Sequence, residues 1–276
     1  MKRMSETTII EPRRGWHRIN VRELFEYREL VVFLAWRDIM AQYKQAFFGV
    51  AWAVVKPVFS VLVFTLVFNK VARLSSSGLP YPVFTLCGVV CWSLFSSSLS
   101  QSTVSLLNNK NLITKTYFPR LIIPIAGLGR GMVDFVISFV LLILLIALYG
   151  LAPSANIWCF PVFIGLGLCI TLGIGLFFSA LATKYHDLKF AIPFVVQMWF
   201  WITPVAYGVE NIPSNYAPIF FLNPMTWIIQ GFRWSILGVG EMNWGKALIT
   251  GAIALVLFFG GLFYFRRMES EFADII

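Results

Sequence analysis

The stretch FFGVAWAVVKPVFSVLVFTLVF, residues 47–68, is apolar for long enough to cross a membrane, yet Lys56 and Pro57 lie near its middle. About 20 apolar residues span the ~30 Å hydrocarbon core of a bilayer. Lys56 follows Phe47 by nine residues, or roughly 14 Å of helix, so its ammonium group falls near the bilayer centre. A central charge costs roughly 2.5–3.5 kcal/mol on insertion scales. We therefore predict that Lys56 faces protein or water rather than lipid.

The composition of the whole chain is that of a membrane protein. Of its 276 residues, 58% are hydrophobic and 13% are charged, whereas soluble domains average about 25% charged residues. Further apolar runs follow the first one, and the sequence predicts an all-α membrane protein with six transmembrane helices. The six predicted spans are residues 47–68, 81–104, 125–149, 157–182, 190–208 and 247–265.

Lysine and arginine are distributed unevenly between the two sides of these spans. One side carries 16 of them, nine of which lie in the first 46 residues, and the opposite side carries four. Because cytoplasmic loops hold the excess of positive charge, both termini are predicted to be cytoplasmic, with the protein in the plasma (bacterial inner) membrane. The net charge of +9 follows from this bias, so it does not indicate nucleic acid as a partner.

These patterns divide the chain into three predicted regions. Residues 1–46 form a cytoplasmic N-terminal segment, residues 47–265 the transmembrane domain, and residues 266–276 a cytoplasmic tail. Within the transmembrane domain, a cytoplasmic loop is predicted at residues 105–120. The longest outer loop is predicted at residues 209–246.

The segment before the first span, NVRELFEYRELVVFLAWRDIMAQYKQ at residues 20–45, has an amphipathic pattern. Asn20 and Glu23 have the spacing of a capping box. Apolar residues recur on one helical face and charged residues occupy the other. Such a helix lies on the membrane surface or packs on a soluble partner, and we favour the membrane because a span follows directly.

The outer loop contains a second helical pattern, NPMTWIIQGFRWSILG at residues 223–238. Asn223 is predicted to cap the helix, with Pro224 in its first helical position. The stretch is too short to span the bilayer, so the loop is predicted to hold one or two short helices that re-enter the outer leaflet. Re-entrant backbone is tolerated only against protein or a water-filled cavity.

Two groups of residues within the spans have alternative interpretations. Lys56 could form a locking ion pair with Asp134, for which Arg130 at i−4 also competes, or it could face a cavity. The aromatic cluster QMWFWITPVAY, residues 197–207, could consist of interfacial anchors, or it could line a path along which sugar rings slide.

The chain contains no phosphate-binding G-x-x-x-x-G-K-[ST] loop, no G-x-S-x-G motif and no metal-ligand spacing. Its four cysteines lie in apolar runs, which does not indicate a disulfide framework. No catalytic residue, metal site or cofactor is therefore predicted in this chain. Uphill transport would need energy from a partner or an ion gradient. The single span carboxylate and the absence of a repeat argue against a gradient.

Three stretches taken together resemble a known family. They are WRDIMAQYKQAFFGVAWAVVKP at 36–57, NNKNLITKTYFPRLIIP at 108–124, and YHDLKFAIPFVVQMWFWITPVAY at 185–207 followed by the 223–238 stretch. In this order, over about residues 10–265, the chain resembles the membrane subunit of ABC-2 type exporters of polysaccharides. The resemblance is strongest to the O-antigen and teichoic acid permeases.

The resemblance implies an ABC-2 (type V) exporter fold with six spans and both ends inside. It also implies a homodimer that binds two ABC ATPase subunits, which hold ATP and Mg. The family's N-terminal amphipathic helix lies at the cytoplasmic interface beside the ATPase. The ATPase-coupling residues implied here are Asn111, Leu112, Lys115, Tyr117, Phe118, Pro119 and Arg120. The implied outer-gate residues are Asn223, Pro224, Phe232 and Arg233.

The implied function is ATP-driven export of polysaccharide linked to polyprenyl pyrophosphate, as in lipopolysaccharide biosynthesis. Residues predicted to line the substrate path or bind the lipid head group are Arg37, Lys44, Lys56, Trp199, Trp201 and Tyr207. Arg37 and Lys44 also fit ordinary positive-inside anchoring. The family more often has glutamine at position 56 and a small or apolar residue at position 130. An amide binds a sugar, whereas a cation also pairs with phosphate or an acidic sugar.

Two other functions remain open from the sequence. The same fold could export a drug or a small lipid. A membrane enzyme acting on lipid-linked sugar would instead place catalytic charged residues in the outer loop, where this chain has only Glu210, Arg233 and Glu241, with Lys246 at the edge of the next span.

Overall fold

The computed structural model describes residues 21–44, 49, 51–240, 242–269 and 272. These residues form helices joined by short loops, and none of them is in a strand, which confirms the predicted all-α class. The α-helices in chain order are α1 Val21–Glu26, α2 Arg28–Lys44, α3 Ala51–Phe64, α4 Tyr81–Asn108, α5 Lys110–Lys115, α6 Ile122–Leu148, α7 Phe160–Lys184, α8 Leu188–Trp201, α9 Ala217–Leu222, α10 Pro224–Leu237 and α11 Trp244–Met268.

Five helical segments among the described residues are long and apolar enough to cross a membrane. They are α3 with its π-helical continuation Thr65–Val71, α4, α6, α7 with the short 3-10 turn Ile157–Cys159 before it, and α11. The fifth predicted span, residues 190–208, is not a helix of this length.

The helix at that position, α8, has 14 residues, which gives it a length of about 21 Å. The chain then continues without regular helix over residues 202–208. Pro204 explains the change, because proline has no N–H to donate and disfavours helical backbone in the residue before it. The sequence pattern of an apolar run therefore overestimated the length of the helix.

Helix α4 lies at the centre of the bundle and packs against α3, α6, α7, α8 and α10. Within its most apolar window 78% of the residues are buried inside the chain, compared with 17% for the segment Ala51–Val71. Buried residues of α4, including Val90, Phe95 and Leu99, form the middle of the main hydrophobic core. The residues of α4 therefore meet protein on nearly all sides.

The N-terminal amphipathic pattern folds as two helices, α1 and α2, which meet at Tyr27. Helix α2 packs against α6 and buries Leu34, Ile39 and Tyr43. Large apolar side chains on its other side are 60–68% exposed, namely Phe25 of α1 with Val32, Phe33 and Trp36. The predicted capping box lies outside the described residues, since it needs Asn20 and the side chain of Glu23.

We refer to the end of the bundle that carries α5 as the α5 face and to the opposite end, which carries α10, as the α10 face. At the α10 face, the loop 72–80 contacts the turn Val209–Asn211, since the Asn211 side chain donates to the Ser75 carbonyl at 3.2 Å. The backbone N–H of Ser154 donates there to Ile236 at 3.0 Å. Residues 188–211 consequently run from the end of α7 at the α5 face to the α10 face.

Candidate functional site

A groove of about 360 Å³ opens between the middle of α4 and α8. Ligand pockets are commonly about 300–1,000 Å³, so the groove is large enough for a small ligand or for one segment of a longer one. Its lining combines hydroxyl, amide and aromatic groups, which come from Trp92, Ser96, Ser97, Ser100, Pro193, Val196, Gln197 and Phe200.

The serine hydroxyls of the groove are available as hydrogen-bond acceptors. Ser100 donates to the Ser96 carbonyl at 2.8 Å, and Ser96 donates to the Ser93 carbonyl at 3.4 Å. A hydroxyl that donates to its own helix keeps its acceptor lone pairs. The Ser97 hydroxyl is buried and has no hydrogen-bond partner among the described residues. The groove therefore presents a polar strip in an otherwise apolar part of the bundle.

Helix α3 flanks the groove through its aromatic side chains. Phe64 stacks on the groove residue Phe200 with 5.6 Å between ring centroids. Lys56, Ser60 and Phe64 are spaced at i, i+4 and i+8, so they lie on one face of α3. Lys56 is exposed, and within the described residues it forms no ion pair with Asp134. The lysine therefore shares the face of α3 that carries Phe64, about 12 Å away along the helix axis.

Asp134 has a different partner, the hydroxyl of Tyr43, which donates a hydrogen bond to it across the contact between α2 and α6. Burial, followed by this hydrogen bond, raises the pKa of Tyr43 above its ordinary value. Arg130 is close enough to oppose this shift electrostatically, but it forms no ion pair with Asp134 among the described residues. The structure thus joins Asp134 to the N-terminal helix rather than to Lys56.

The three predicted aromatic path residues occupy different environments. The indole N–H of Trp199 donates to Asn223 at 3.0 Å, and its ring packs edge-on against Trp92 and Phe95. The Tyr207 hydroxyl donates to the Trp201 carbonyl at 3.0 Å. Trp201 itself is 52% exposed. The aromatic rings that line the groove are instead those of Trp92 and Phe200.

A buried arginine holds the non-helical segment that follows α8. Arg233 of α10 is 4% exposed. Its guanidinium donates to the carbonyls of Pro204 at 2.9 Å, Tyr207 at 3.3 Å and Val205. The guanidinium carbon also lies 3.9 Å from the centroid of the Phe84 ring. These neutral groups replace water around the cation, since an uncompensated buried charge would be strongly unfavourable.

The same segment depends on a glycine in the neighbouring helix α4. A Cβ atom at Gly88 would overlap with the Val205 carbonyl oxygen and with Nη2 of Arg233. The Tyr81 hydroxyl also donates to the Ala206 carbonyl at 2.6 Å. Residues 204–207 are therefore fixed against α4 and α10 by backbone hydrogen bonds and by close approach.

Arg233, residues 204–207 and Phe84 together are called the arginine cage below. The other predicted gate residues lie at the start of α10 or within it. Asn223 caps α10 as expected, because its side chain accepts the N–H of Met225 at 3.1 Å, and Pro224 is the first residue of the helix. Asn223 also donates to Thr203 at 2.8 Å. Phe232 is fully buried against Phe135, Phe139 and Phe160. The helix α10 is thus packed against protein along most of its length.

The predicted ATPase-coupling residues divide into exposed and buried groups at the α5 face. Asn111, Lys115 and Tyr117 are exposed, and Tyr117 is the most exposed large side chain of the segment at 74%. Phe118 and Pro119 are buried, and Leu112 is half-buried. This part of the chain therefore offers a small exposed surface on a hydrophobic base.

Arg120, the last of the predicted coupling residues, contacts the end of α11. Its backbone N–H donates to the Glu269 carboxylate at 3.3 Å, and its guanidinium donates to the Glu269 carbonyl. Glu269 in turn pairs with Arg266 at 2.7 Å, and the Arg120 guanidinium lies 5.9 Å from the Phe272 ring. The coupling segment is thereby attached to the C-terminal helix.

The two predicted head-group residues lie on α2. Arg37 donates to Asp38 at 2.7 Å and to the Asn109 side chain, also at 2.7 Å. Asn109 lies between α4 and α5, the helix that carries part of the predicted coupling residues. Lys44 is exposed at the last position of α2. Arg37 is therefore already engaged by two side chains, whereas Lys44 extends from the helix end.

The family model described as "ABC-2 type transporter" matches residues 29–237. The chain belongs to the ABC-2 type transporter membrane family. The matched part of this ABC-2 chain includes the groove, the arginine cage and the predicted coupling segment.

Among the described residues, no group of three or more His, Cys, Asp or Glu side chains could hold a metal ion.

Relatives of this ABC-2 chain carry names that refer to polysaccharides. The O-antigen export system permease protein RfbA of Myxococcus xanthus is 28% identical over 259 residues, which cover 93% of this chain and 98% of the relative. RfbA of Klebsiella pneumoniae is 28% identical over 90% of this chain and 95% of the relative. The polysialic acid transport protein KpsM of Escherichia coli is 23% identical over 89% and 96%, respectively. These relatives are transport proteins.

The sequence analysis included Gln197 and Phe200 in its aromatic cluster but missed the α4 residues of the groove of this ABC-2 permease. A signal was present, because FSSSLSQSTV at residues 95–104 contains six hydroxyl residues in a predicted span. Isolated serines are common in membrane helices, but such a density requires protein or a polar ligand as a neighbour. Gly88 gave no comparable signal, since only the three-dimensional contact with Arg233 explains the need for glycine there.

Proposed function

We propose that this chain is the membrane subunit of an ATP-driven exporter for polysaccharide attached to polyprenyl pyrophosphate. The observation that carries the proposal is the groove between α4 and α8, which combines a strip of hydroxyl and amide groups with the rings of Trp92 and Phe200. The RfbA and KpsM relatives support the class of cargo.

The chemistry of the groove suits a sugar chain. The C–H faces of pyranose rings pack on aromatic rings, and sugar hydroxyls bond to the acceptors of Ser96, Ser97 and Ser100. Gln197 supplies both a donor and an acceptor. Because aromatic packing does not demand one fixed register, successive sugar units can occupy the same positions while the chain advances.

The proposed topology has six crossings, with both termini in the cytoplasm of a bacterial cell and the chain in its inner membrane. The fifth crossing would consist of α8, the non-helical residues 202–208 and the 3-10 turn Val209–Asn211. Irregular backbone is tolerated inside a membrane where protein covers it, and the Arg233 hydrogen bonds to residues 204–207 meet that need. Helices α9 and α10 would then be the re-entrant outer gate.

A homodimer would complete the sugar path. The groove has a floor from α4 and flanking walls from α3 and α8, while the remaining side is open. A second copy facing this side would close the groove into a channel and surround Lys56, which is too deep in the bilayer to be stable against lipid. In that arrangement Lys56 would contact phosphate or acidic groups of the cargo.

The energy would come from two ABC ATPase subunits, which bind and hydrolyse ATP with Mg. The exposed side chains Asn111, Lys115 and Tyr117 would dock into these subunits, supported from below by buried Phe118. Motion of the docked segment would reach α11 through Arg120 and Glu269. Lys44, exposed at the last position of α2, would attract the negatively charged pyrophosphate of the lipid carrier.

The proposal is tested by purifying this chain with the ABC ATPase encoded beside it and measuring ATP hydrolysis. Tyr117→Ala should lower association or hydrolysis about tenfold, the loss of about 1.4 kcal/mol of docking energy. Tyr216→Ala, which removes a 59% exposed tyrosine at the α10 face, is the matched control and should leave both unchanged. Failure of any ATPase to associate would refute the ATP-driven mechanism.

The cargo is tested with proteoliposomes that contain the complex and lipid-linked glycan. Lys56→Gln should preserve assembly and transport of neutral glycan while lowering transport of glycan that bears phosphate or uronic acid. Loss of assembly in this variant would assign Lys56 to the dimer contact instead. Transport of small amphiphilic drugs without glycan transport would favour a drug or lipid exporter.

A further inference from the structure

A second cleft, of about 280 Å³, lies at the α10 face and shares no lining residue with the groove. It is bounded by the end of α9, the middle of α10 and the start of α11. Three consecutive helices of the chain thus converge there. The groups that face the cleft and matter for binding are Phe221, Trp227, Gln230, Asn243 and Lys246.

Two aromatic rings form one wall of this cleft. The rings of Phe221 and Trp227 have centroids 5.3 Å apart. The indole N–H of Trp227 donates to the Phe221 carbonyl at 3.0 Å, which fixes the orientation of the indole ring. The Lys246 ammonium lies 4.2 Å from the Phe221 centroid and 4.4 Å from the Trp227 centroid. The wall is therefore a preorganised pair of rings, and the Lys246 ammonium lies over one face of each ring.

Two amide side chains provide the polar part of the cleft. The side-chain oxygen of Gln230 is buried and has no hydrogen-bond partner among the described residues. The side-chain oxygen of Asn243 accepts the backbone N–H of Lys246 at 3.0 Å, so the Asn243 NH₂ group is the part that can serve a ligand. A buried acceptor without a donor is unfavourable, and a ligand donor would remove this cost.

These groups select for a hydroxylated ring. The Gln230 oxygen requires a donor, while the Asn243 NH₂ group and the Lys246 ammonium require acceptors, and a hydroxyl is both. A phosphate or carboxylate only accepts, so its oxygens would repel the Gln230 oxygen. We propose that this cleft is a saccharide-binding subsite that holds one neutral pyranose unit on the Trp227 ring. That the sugar belongs to glycan leaving the groove rests on the proposed function.

The proposal is tested by saturation-transfer difference NMR on the full-length protein in lipid nanodiscs. The probes are the methyl glycosides of glucose, galactose, mannose and rhamnose, with methyl glucuronide as the anionic comparison. At least one neutral glycoside should receive saturation at its ring protons. Trp227→Ala and Gln230→Leu should each lower this signal at least about fivefold, roughly 1 kcal/mol of binding energy.

Trp158→Ala is the matched control, because Trp158 is 87% exposed at the same face and lies outside the cleft. Its signal should equal that of the wild type. Gln230→Leu keeps the side-chain volume, so it reports on the amide even if Trp227→Ala fails to fold.

Absence of saturation for every neutral glycoside, or equal signals in the wild type and Gln230→Leu, would overturn the subsite. A stronger signal from glucuronide than from the neutral glycosides would overturn its selectivity. The ATPase assay is independent of these outcomes. A sugar-binding chain without ATPase association would refute the exporter alone, and an ATPase-coupled chain without sugar binding would refute the subsite alone.

Discussion

Arg233 and Arg120 each attach a loop to a helix, at opposite ends of the same bundle, and they differ in how far they are exposed to water. Arg233 is buried. Its guanidinium donates hydrogen bonds to neutral carbonyls and lies over the face of the Phe84 ring. Arg120 is partly exposed; its guanidinium donates to the Glu269 carbonyl, and its backbone N–H donates to the Glu269 carboxylate, which pairs with Arg266. One arginine is thus enclosed by the fold, and the other lies within reach of solvent.

The comparison separates two roles that look alike in sequence. A buried cation loses its hydration, so all of its protein partners are needed and any loss leaves unpaired groups in an apolar environment. A hydrogen bond at a partly exposed site contributes less, since water can take the place of a lost partner. Arg233 is therefore expected to stabilise residues 204–207 strongly, whereas the contact between Arg120 and Glu269 is expected to contribute less.

The largest effect is expected from Arg233→Met, which keeps the length of the side chain but removes every donor. Three buried carbonyl groups would lose their partner, and the free energy of unfolding should fall by roughly 4 kcal/mol. Thermal unfolding of the purified protein should show a melting temperature lower by about 10 °C. Lys70→Met, an exposed cation at the same face, is the control. A melting temperature equal to that of the control would remove the distinction between the two arginines.

Gly88→Ala tests the same cage from the side of α4. The added methyl group would displace the Val205 carbonyl and the Arg233 guanidinium, which should cost about 2 kcal/mol. Gly165→Ala is the matched control, because a Cβ there meets nothing within 4 Å. In the double variant Gly88→Ala with Arg233→Met, the loss of unfolding free energy should be smaller than the sum of the losses in the two single variants. Full additivity in unfolding measurements would show that the two sites act separately.

A smaller effect is expected from Glu269→Gln at the α5 face. It removes the charge that pairs with Arg266 and weakens the acceptor of the Arg120 N–H, which should lower stability by about 1 kcal/mol. Because the contact holds the coupling segment, trypsin should cleave after Lys115 about threefold faster. Asp187→Asn, an exposed carboxylate elsewhere in the chain, should leave the cleavage rate unchanged. An effect as large as that of Arg233→Met would contradict the proposed difference.

Tyr43→Phe examines an intermediate case, in which a neutral donor contacts the carboxylate of Asp134. Loss of the hydrogen bond should lower stability by about 1 kcal/mol near neutral pH. The pKa of folded Tyr43 is raised, so the neutral hydroxyl stabilises the fold below the unfolded tyrosine pKa of about 10. Its contribution is lost as the pH rises further.

The difference in unfolding free energy between wild type and Tyr43→Phe should therefore be constant from about pH 6 to 9 and shrink above about pH 10. Tyr27→Phe, a half-buried tyrosine of the same N-terminal region, provides the control. A difference that grows above pH 10 would show that the tyrosinate, rather than the neutral hydroxyl, stabilises the structure.

Hydropathy and turn chemistry predicted the helical class and the capped helix that begins at Pro224. The same information gave too long a helix for residues 190–208. Hydropathy counts apolar residues, and it contains neither the effect of Pro204, which ends the helix, nor that of Arg233, which supplies donors from a distant position. Hydropathy also did not identify the α4 side of the groove. Trp199 and Phe200 are adjacent aromatic residues, and only the rotation of α8 decides that Phe200 lines the groove while Trp199 binds Asn223.

Lys56 shows a related restriction. Its depth in the span follows from counting residues, and the expectation of a protein or water neighbour follows from that depth. The identity of its neighbour does not follow from the sequence. The carboxylate of Asp134 accepts a hydrogen bond from Tyr43, and Tyr43 lies on α2, outside the predicted spans. Charge pairing inside a bundle depends on which faces meet, and this information is distributed over several segments of the chain.

The close approach of Gly88 to Arg233 and Val205 has a consequence for how this sequence can diverge. A side chain at position 88 cannot be accommodated while the guanidinium occupies the same space, and the guanidinium cannot be lost while residues 204–207 lack other donors. The two positions are expected to change together in descendants of this chain, by way of intermediates in which the turn after α8 has acquired a different donor. A pairwise survey of related sequences would detect this as a shared substitution between α4 and α10.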